Sequence, residues 1–299
     1  MDVRQTMRIF LLLLVLVQVG WASDGLMTVR FFDVGTADAA LVTTPAGEHI
    51  LIDGGTQEGG KKVASFLKAH GIDSLDVVIA THPHPDHIGG LAQVLREFKV
   101  QTLFDSGMQF ECPEYAAFHD AQSKLSGTLV TVCGQMVVTL PSGVRLEFLN
   151  PKRLARRIHT DCIVVRICYR EVAVLMMGDA NDIAEGVLLF DEAPLKSDIL
   201  KVGHHGASDS TTEAFLKSVA PRFAVISVGT PNQYGRPHKV VLDKLKDSGA
   251  TVYRTDQRGD ITFVTDGKSL ATPRCERQSR ANPPEKASVA DDKKARNDD

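Results

Sequence analysis

The sequence lacks the features that define several broad classes of protein. It has only five cysteines in 299 residues, an odd number and too few for a disulfide scaffold. Its net charge of −3 gives no general positive surface for nucleic acid, so an anionic substrate would need a local positive feature such as metal ions. With 43% hydrophobic and 24% charged residues, the chain is not collagen-like, coiled-coil or wholly disordered.

The cysteine spacing also excludes a thiolate zinc site. Cys162 and Cys168 fall on one face of a strand-like segment, roughly 20 Å apart and too far to form a disulfide. Buried free thiols are the preferred interpretation, and Cys112 with Cys133 is the one pair that merits a test.

No hydrophobic run is long enough to cross a membrane. Residues 9–17 form the longest run, which falls short of the roughly 18 apolar residues that a span requires. It follows two arginines and precedes Gly20 and Ala22, the small residues of a cleavage site. Residues 1–22 therefore predict a secretory signal peptide, with an uncleaved anchor as the alternative. The mature protein is then expected to be soluble and periplasmic or secreted.

The apolar pattern also stops before the C-terminus. Residues 272–299 are rich in proline and charge and have too few apolar side chains to order themselves. A disordered, solvated tail is the default interpretation, and a partner-binding tail is the alternative. Residues 23–271 contain no short repeat and no linker, so they predict one domain.

Strand and helix patterns in this domain predict a layered α/β protein with two sheets covered by helices. Strands come first in the chain and then alternate with helices. The predicted strands are 27–33, 39–44, 49–53, 76–80, 136–140, 144–149, 162–169, 172–177, 199–202, 223–228, 251–254 and 260–264. The predicted helices are 61–70, 88–98, 113–125, 180–191, 211–219 and 238–248.

The densest group of potential metal ligands is Thr-His-Pro-His-Pro-Asp-His at residues 81–87. It lies between a predicted strand and a predicted helix, where functional groups collect in α/β proteins. Imidazole and carboxylate groups are suitable ligands for zinc, manganese or iron. His82 and His84 alternate in a nearly extended segment and can face one ion, whereas Asp86 and His87 follow a turn and can face a second.

Two later strand ends offer the remaining ligands. One predicted strand runs into Asp179, whose carboxylate could bridge the two ions, although an aspartate here could also cap a helix. Another runs into Gly-His-His-Gly at residues 203–206, where glycines let the backbone approach closely. One of His204 and His205 could complete the second ion's shell. We assign His204 to the metal and place His205 behind it.

In this order, His-x-His-x-Asp-His, a later Gly-Asp and a still later strand-end histidine resemble the metallo-β-lactamase fold. That superfamily is a four-layer αβ/βα sandwich with a binuclear metal site between its sheets. Longer motifs resemble the soluble hydrolase domain of ComEC-type DNA-internalisation competence proteins over residues 27–267. These motifs are Phe-Asp-Val-Gly-Thr-Ala-Asp-Ala at 32–39, Leu-Ile-Asp-Gly-Gly at 51–55 and Leu-Lys-Val-Gly-His-His-Gly at 200–206.

The resemblance implies roles for further residues. Asp53 would support the site from behind by orienting a ligand histidine. Asp38 would lie at the rim of the site, unless it is a turn or cap residue. The family's Tyr-Gly-His-Pro becomes Tyr-Gly-Arg-Pro here, and Arg236 is suited to hold a phosphate through two hydrogen bonds. His238 could supply the missing imidazole or merely begin the next helix.

The third ligand of the first ion is left open. His159 and Asp161 lie in the right part of the chain, but ComEC-type domains carry Asn and Ser there, so neither is assigned. The site could therefore hold two divalent ions, Zn²⁺ or Mn²⁺, or only one of them firmly.

These expectations combine into an exported metal-dependent hydrolase. Two divalent ions lower the pKa of a bound water to about 7 and clamp the oxygens of an in-line displacement. The resemblance implies a phosphodiesterase or nuclease acting on DNA, with Asp86, Asp179, Arg236 and His238 as catalytic residues. The alternatives are hydrolysis of a small or lipid-derived phosphodiester or a lactone, and a non-catalytic metal-containing binding module. Nothing in the sequence indicates a protein partner.

Overall fold

The computed structural model describes residues 25–230 and 232–276, and within them the chain forms two β-sheets stacked face to face. Helices cover the outer face of each sheet, so the predicted four-layer αβ/βα sandwich is confirmed. The predicted signal peptide at residues 1–22 lies outside the described residues, as does the predicted tail beyond Glu276.

Fifteen strands make up the two sheets. They are β1 (Met27–Phe31), β2 (Ala40–Thr43), β3 (His49–Ile52), β4 (Ser74–Ala80), β5 (Lys99–Asp105), β6 (Thr128–Thr131), β7 (Met136–Thr139), β8 (Arg145–Asn150), β9 (Val164–Tyr169), β10 (Val172–Met176), β11 (Ile199–Lys201), β12 (Phe223–Ile226), β13 (Thr251–Arg254), β14 (Asp260–Thr265) and β15 (Arg274–Glu276). The first sheet has the order β15-β14-β1-β2-β3-β4-β5-β6, and the second has the order β13-β12-β11-β10-β9-β8-β7.

The helices are α1 (Gln57–Ala69), α2 (Pro85–Ile88), α3 (Leu91–Glu97), α4 (Pro113–Ser123), α5 (Asp182–Phe190), α6 (Glu213–Val219), α7 (Lys239–Asp247) and α8 (Thr255–Arg258). In the part of the chain described, no helix combines the length and the apolarity needed to cross a bilayer.

Three apolar cores hold the four layers together. Between the sheets, Phe104 of β5 packs on Phe148 of β8 with ring centroids 4.7 Å apart. Helices α1, α3 and α4 bury side chains such as Leu67 against the first sheet, and α5, α6 and α7 bury side chains such as Phe215 against the second. Each fully buried large side chain stabilises the fold by roughly 1.5–3 kcal/mol relative to an exposed one.

Several predicted boundaries were wrong. The predicted helix 88–98 is two helices, because Gly89 and Gly90 interrupt it where the backbone packs against α1. Strands β5 and β6 were missed. Strand β6 lies largely exposed at the edge of the first sheet and shows no apolar alternation.

The ordered chain also continues past the predicted end at residue 271. Strand β15 is exposed and pairs with β14, and Glu276 accepts two hydrogen bonds from Arg30. These polar contacts order the segment without an apolar pattern. All five cysteines are free, so Cys112 and Cys133 do not pair.

Candidate metal centre

The site lies where the carboxyl ends of strands from both sheets meet. Thr81 follows β4, and its carbonyl accepts a hydrogen bond from the Ile163 backbone N–H of the second sheet, with N and O 2.9 Å apart. His204 follows β11, and its N–H donates to the Gly178 carbonyl after β10 at 3.0 Å. These bonds join four loop segments in two pairs and bring their side chains to one place.

The first ligand group consists of His82, His84, His159 and Asp179, whose donor atoms all lie within 4.8 Å of one another. His82 and His84 lie on one side of the turn at Pro85, and His159 comes from the long loop between β8 and β9. The His159 Nε2 atom is 3.4 Å from His84 Nδ1. His159 was not assigned from sequence, and the structure places it where a third imidazole ligand would be.

The second ligand group consists of Asp86, His87, Asp179 and His205, again within 4.8 Å of one another. Pro85 begins α2, so Asp86 and His87 belong to its first turn, and the His87 ring lies beside the His82 ring with centroids 4.1 Å apart. The His205 Nε2 atom is 3.4 Å from Asp86 Oδ2 and 3.4 Å from Asp179 Oδ1.

Asp179 belongs to both groups. Its Oδ2 atom is 3.7 Å from His82 Nε2, and its Oδ1 atom is 3.2 Å from His87 Nε2. Its two oxygens therefore face different groups, which is the arrangement that a bridging carboxylate requires.

The buried donor atoms fit divalent metal ions. Among the described residues, few buried side-chain atoms lack a hydrogen-bond partner, and four of these few are His82 Nε2, His87 Nε2, His205 Nε2 and Asp179 Oδ1. An unsatisfied buried polar atom costs about 1–3 kcal/mol, so several of them converging on one place is unusual in a folded protein. Imidazole nitrogens together with carboxylates are the donor set of zinc and manganese sites.

The other ring nitrogen of three ligand histidines is held by the protein. His87 donates from Nδ1 to Asp53 Oδ2 at 2.8 Å, and His205 donates from Nδ1 to the Ser227 carbonyl at 3.0 Å. His82 Nδ1 lies 3.1 Å from the Thr81 hydroxyl, which itself donates to Asp53. Asp53 thus orients two ligand histidines, and each Nε2 is left free to face a metal.

Asp38 lies behind the second group, and its predicted place at the rim was wrong. It is 5% exposed and its Oδ2 atom is 2.7 Å from the buried Lys201 ammonium. Although burial opposes it, the charge of Lys201 lowers the pKa of Asp38, so the carboxylate stays ionised. Its Oδ1 atom lies 3.4 Å from His205 Nδ1.

For the second ligand group the structure favours His205 over the predicted His204, whose Nε2 atom nevertheless lies 3.7 Å from Asp179 Oδ2. His205 enters the second ligand group, whereas His204 turns toward the mouth of the site. There it donates from Nδ1 to Asp209 at 2.9 Å, and its Nε2 atom accepts a hydrogen bond from Arg236 at 2.8 Å.

Arg236 lies at the mouth, and its guanidinium stacks over the Tyr234 ring at 4.8 Å from the centroid. His238, which was predicted to be catalytic, belongs to neither ligand group. Its Nδ1 atom accepts from the Ser208 N–H at 2.9 Å, and its Nε2 atom contacts the Tyr234 carbonyl at 3.2 Å. Both ring nitrogens are therefore used to hold the loop before α7, which His238 begins.

Asp161 is also outside both groups. It is buried and accepts the backbone N–H groups of Ala155 and Arg157 at 3.1 and 3.2 Å. It therefore shapes the loop that carries His159 and is not a ligand candidate.

The two groups differ in their charge balance. Burial lowers the pKa values of His82, His84 and His159, the last to about 4, so these rings are neutral near pH 7. For His87, burial acts in the same direction, but the carboxylates of Asp179 and Asp53 outweigh it and raise the pKa well above its ordinary value. The first group thus presents neutral imidazoles, whereas protons compete with metal in the second.

A groove of about 680 Å³ opens beside the second group, at Asp86. Its other walls are neutral and consist of Thr36, Thr56, Pro85, Asn232, Gln233 and Tyr234. On the other side, the loop before His159 carries Lys-Arg-Leu-Ala-Arg-Arg at residues 152–157. These four cations were not among the predicted site residues, although a run of this density is a recognisable signal.

Comparisons with known proteins agree with this geometry. A family model described as "Metallo-beta-lactamase superfamily" matches residues 32–107. The "ComE operon protein 3" of Bacillus subtilis is 30% identical over 79% of this chain and 32% of its own length. The "Competence protein ComA" of Neisseria gonorrhoeae is 29% identical over the same shares. The chain thus spans about a third of the length of these relatives.

Solved structures also share this arrangement of layers. The metallo-β-lactamase fold protein YhfI from Bacillus subtilis superposes with a TM-score of 0.54 at 14% identity. The match covers 80% of this chain and 100% of that one. At this identity the likeness concerns the fold alone.

Proposed function

The chain belongs to the metallo-β-lactamase superfamily, and from this premise we propose that it is a metal-dependent phosphodiesterase with DNA as its first candidate substrate. The observation that carries the proposal is the pair of ligand groups that share Asp179. His82, His84 and His159 would hold one ion, and Asp86, His87 and His205 the other. When bound, such a pair supplies an activated water and neutralises charge on the oxygens of an in-line displacement.

The protein's own side chains support hydrolysis by water over covalent catalysis. Cys162 lies beside the first group, with its Sγ atom 3.6 Å from His82 Nδ1. Burial, together with the charge of Asp179, raises its pKa to about 12, so the thiol remains protonated and unreactive.

Arg236 is suited to bind the phosphate. His204 and Tyr234 fix its guanidinium at the mouth of the site, where two parallel N–H groups could donate to non-bridging oxygens. A lactone has no such anionic oxygens in its ground state, so Arg236 favours a phosphodiester over a lactone.

A small phosphodiester is the second candidate substrate. The groove beside Asp86 is neutral and of a size that suits one small organic group. Export from the cell remains a prediction that rests on the pattern of residues 1–22 alone.

The proposal is tested with the purified full chain on single-stranded DNA and on bis-(p-nitrophenyl) phosphate. Each assay is run metal-free, with Zn²⁺ and with Mn²⁺, beside His84→Ala. We expect metal-dependent cleavage that the variant loses by at least about a hundredfold, since it lacks a ligand. Cleavage of the chromogenic ester alone would favour a small substrate. Bound metal without cleavage of either would refute the proposal and favour a lactonase or a binding module.

A further inference from the structure

A cationic loop borders the first ligand group. This basic loop comprises residues 152–157, and Arg153, Arg156 and Arg157 in it are exposed. Lys152 pairs with Asp191 at 3.0 Å, but within residues 25–230 and 232–276 no carboxylate lies at ion-pair distance from the three arginines. Three positive charges are therefore available for a ligand.

The backbone of the basic loop is fixed from beneath. Asp161 is buried, and its carboxylate accepts the N–H groups of Ala155 and Arg157. The Asp161 N–H in turn donates to the Arg157 carbonyl at 2.7 Å. These three hydrogen bonds hold the loop backbone in one conformation, so its arginines project from defined positions.

The basic loop leads directly to the metal centre. Arg157 precedes His159 by two residues, so their Cα atoms are at most about 7 Å apart. The basic loop therefore adjoins His159 of the first ligand group.

The opposite side of the centre has a different character. The groove beside the second ligand group contains hydroxyl, amide and aromatic side chains, and its one charge is that of Asp86. Arg236 stacks on Tyr234 at this groove, whereas the basic loop carries three exposed arginines. A long polyanion would therefore be attracted more strongly to the side of the first group. The chain as a whole carries −3 and would repel such a polymer without the loop.

We propose that the basic loop binds the phosphate backbone of a single-stranded nucleic acid and leads it to the first ligand group. The proposal rests on the proposed function, because it names the surface that would hold a polymeric substrate of that site. A nucleic acid fits better than a membrane, since only Leu154 offers an exposed large apolar side chain in the loop.

The test compares the full-length protein with Arg153→Gln/Arg156→Gln/Arg157→Gln. The matched control is Lys196→Gln/Lys217→Gln/Lys246→Gln, which removes the same charge from exposed positions elsewhere. Binding of a fluorescent 20-nucleotide strand is measured between about 50 and 300 mM salt, with turnover of bis-(p-nitrophenyl) phosphate, metal content and melting temperature in parallel.

Each phosphate neutralised on a single strand contributes about −0.7 to the slope of log K against log salt. The arginine variant should therefore bind about tenfold more weakly or worse, with a slope shallower by roughly 2. Its turnover of the small ester should stay within about twofold of wild type, and the lysine variant should match wild type throughout.

Three results would overturn the proposal. These are unchanged strand binding and salt slope in the arginine variant, an equal loss in the lysine variant, and a loss of binding to phosphatidylglycerol vesicles without a loss of binding to the strand. Failure of the proposed function is distinguishable. In that case metal-loaded wild type would not hydrolyse the small ester, whether or not it binds the strand.

Discussion

His204 and His205 are adjacent residues whose side chains serve different parts of the site. Both have left-handed backbone angles, with φ of 50° and 53°, which costs a non-glycine residue roughly 1–2 kcal/mol. The resulting turn sends His205 inward to Asp179 and leaves His204 against Arg236. Sequence periodicity assumes ordinary strand or helix angles, so it cannot decide which of the two rings faces inward.

This difference gives a prediction for two alanine variants. His205→Ala should lose most of the metal bound by the second ligand group, because it removes a donor atom from that group. His204→Ala should keep its metal and raise KM for a phosphodiester several-fold, because Arg236 loses the ring that positions it. Metal content after dialysis, measured by plasma mass spectrometry, and steady-state kinetics distinguish the two. Equal metal loss in both variants would contradict this assignment.

At the scale of elements, the most constrained contact is that of α1 with the turn between α2 and α3. A Cβ atom on Gly90 would lie 2.1 Å from the Gly54 carbonyl oxygen and 2.5 Å from Gly60 Cα. Both are backbone atoms, which can move only if α1 and the strand end at Asp53 move with them. This contact therefore fixes α2, and with it Asp86 and His87.

Gly90→Ala should consequently lower the free energy of unfolding by about 1–3 kcal/mol or more and weaken metal binding by the second group. Gly186→Ala is the matched control, because this glycine lies inside α5 with nothing within 4 Å of a new Cβ atom. That variant should gain roughly 0.5–1 kcal/mol. Urea unfolding measures both, and a neutral Gly90→Ala would show that α1 and the turn can separate easily.

Much of the order of strands and helices could be predicted from the sequence. The features that could not be predicted have physical explanations. Apolar strands that run into His82, Asp179 and the Gly-His-His-Gly segment at residues 203–206 predicted the convergence of strand ends, because parallel strands place their carboxyl ends at one edge. The position of His159 could not be predicted, since it depends on how Asp161 folds a long loop over the site. The edge strands β6 and β15 bury few side chains and leave no apolar pattern to detect.

At the scale of the whole molecule, protons bound at the metal centre contribute to folding stability. Although burial opposes it, the carboxylates of Asp179 and Asp38 raise the pKa of His205 to about 9. Because this pKa exceeds the unfolded value of about 6.5, the proton stabilises the metal-free fold below pH 6.5, and this stabilisation is lost as the pH rises toward 9. Metal must displace the same proton to bind.

Two effects therefore act in the same direction on thermal stability. The rise in melting temperature produced by Zn²⁺ should grow between about pH 6.5 and 9, since the metal-free protein weakens while metal affinity increases. At a free metal concentration of 100 Kd, bound metal increases the free energy of unfolding by about 2.7 kcal/mol. Scanning calorimetry with and without Zn²⁺ measures the rise in melting temperature at each pH. A rise that becomes smaller as the pH increases would contradict the prediction. His84→Gln, which weakens the first group, should still show the trend.

The contact of Phe104 with Phe148 has a consequence for the evolution of the protein's metal preference. These rings set the spacing of the two sheets, and His82 and His87 come from one sheet while Asp179 and His205 come from the other. A change of volume in the core between the sheets would alter the separation of the ligands without replacing any of them. Selection for a larger or smaller cation could therefore act on hydrophobic residues of the core between the sheets, and metal preference could drift while every ligand stays the same.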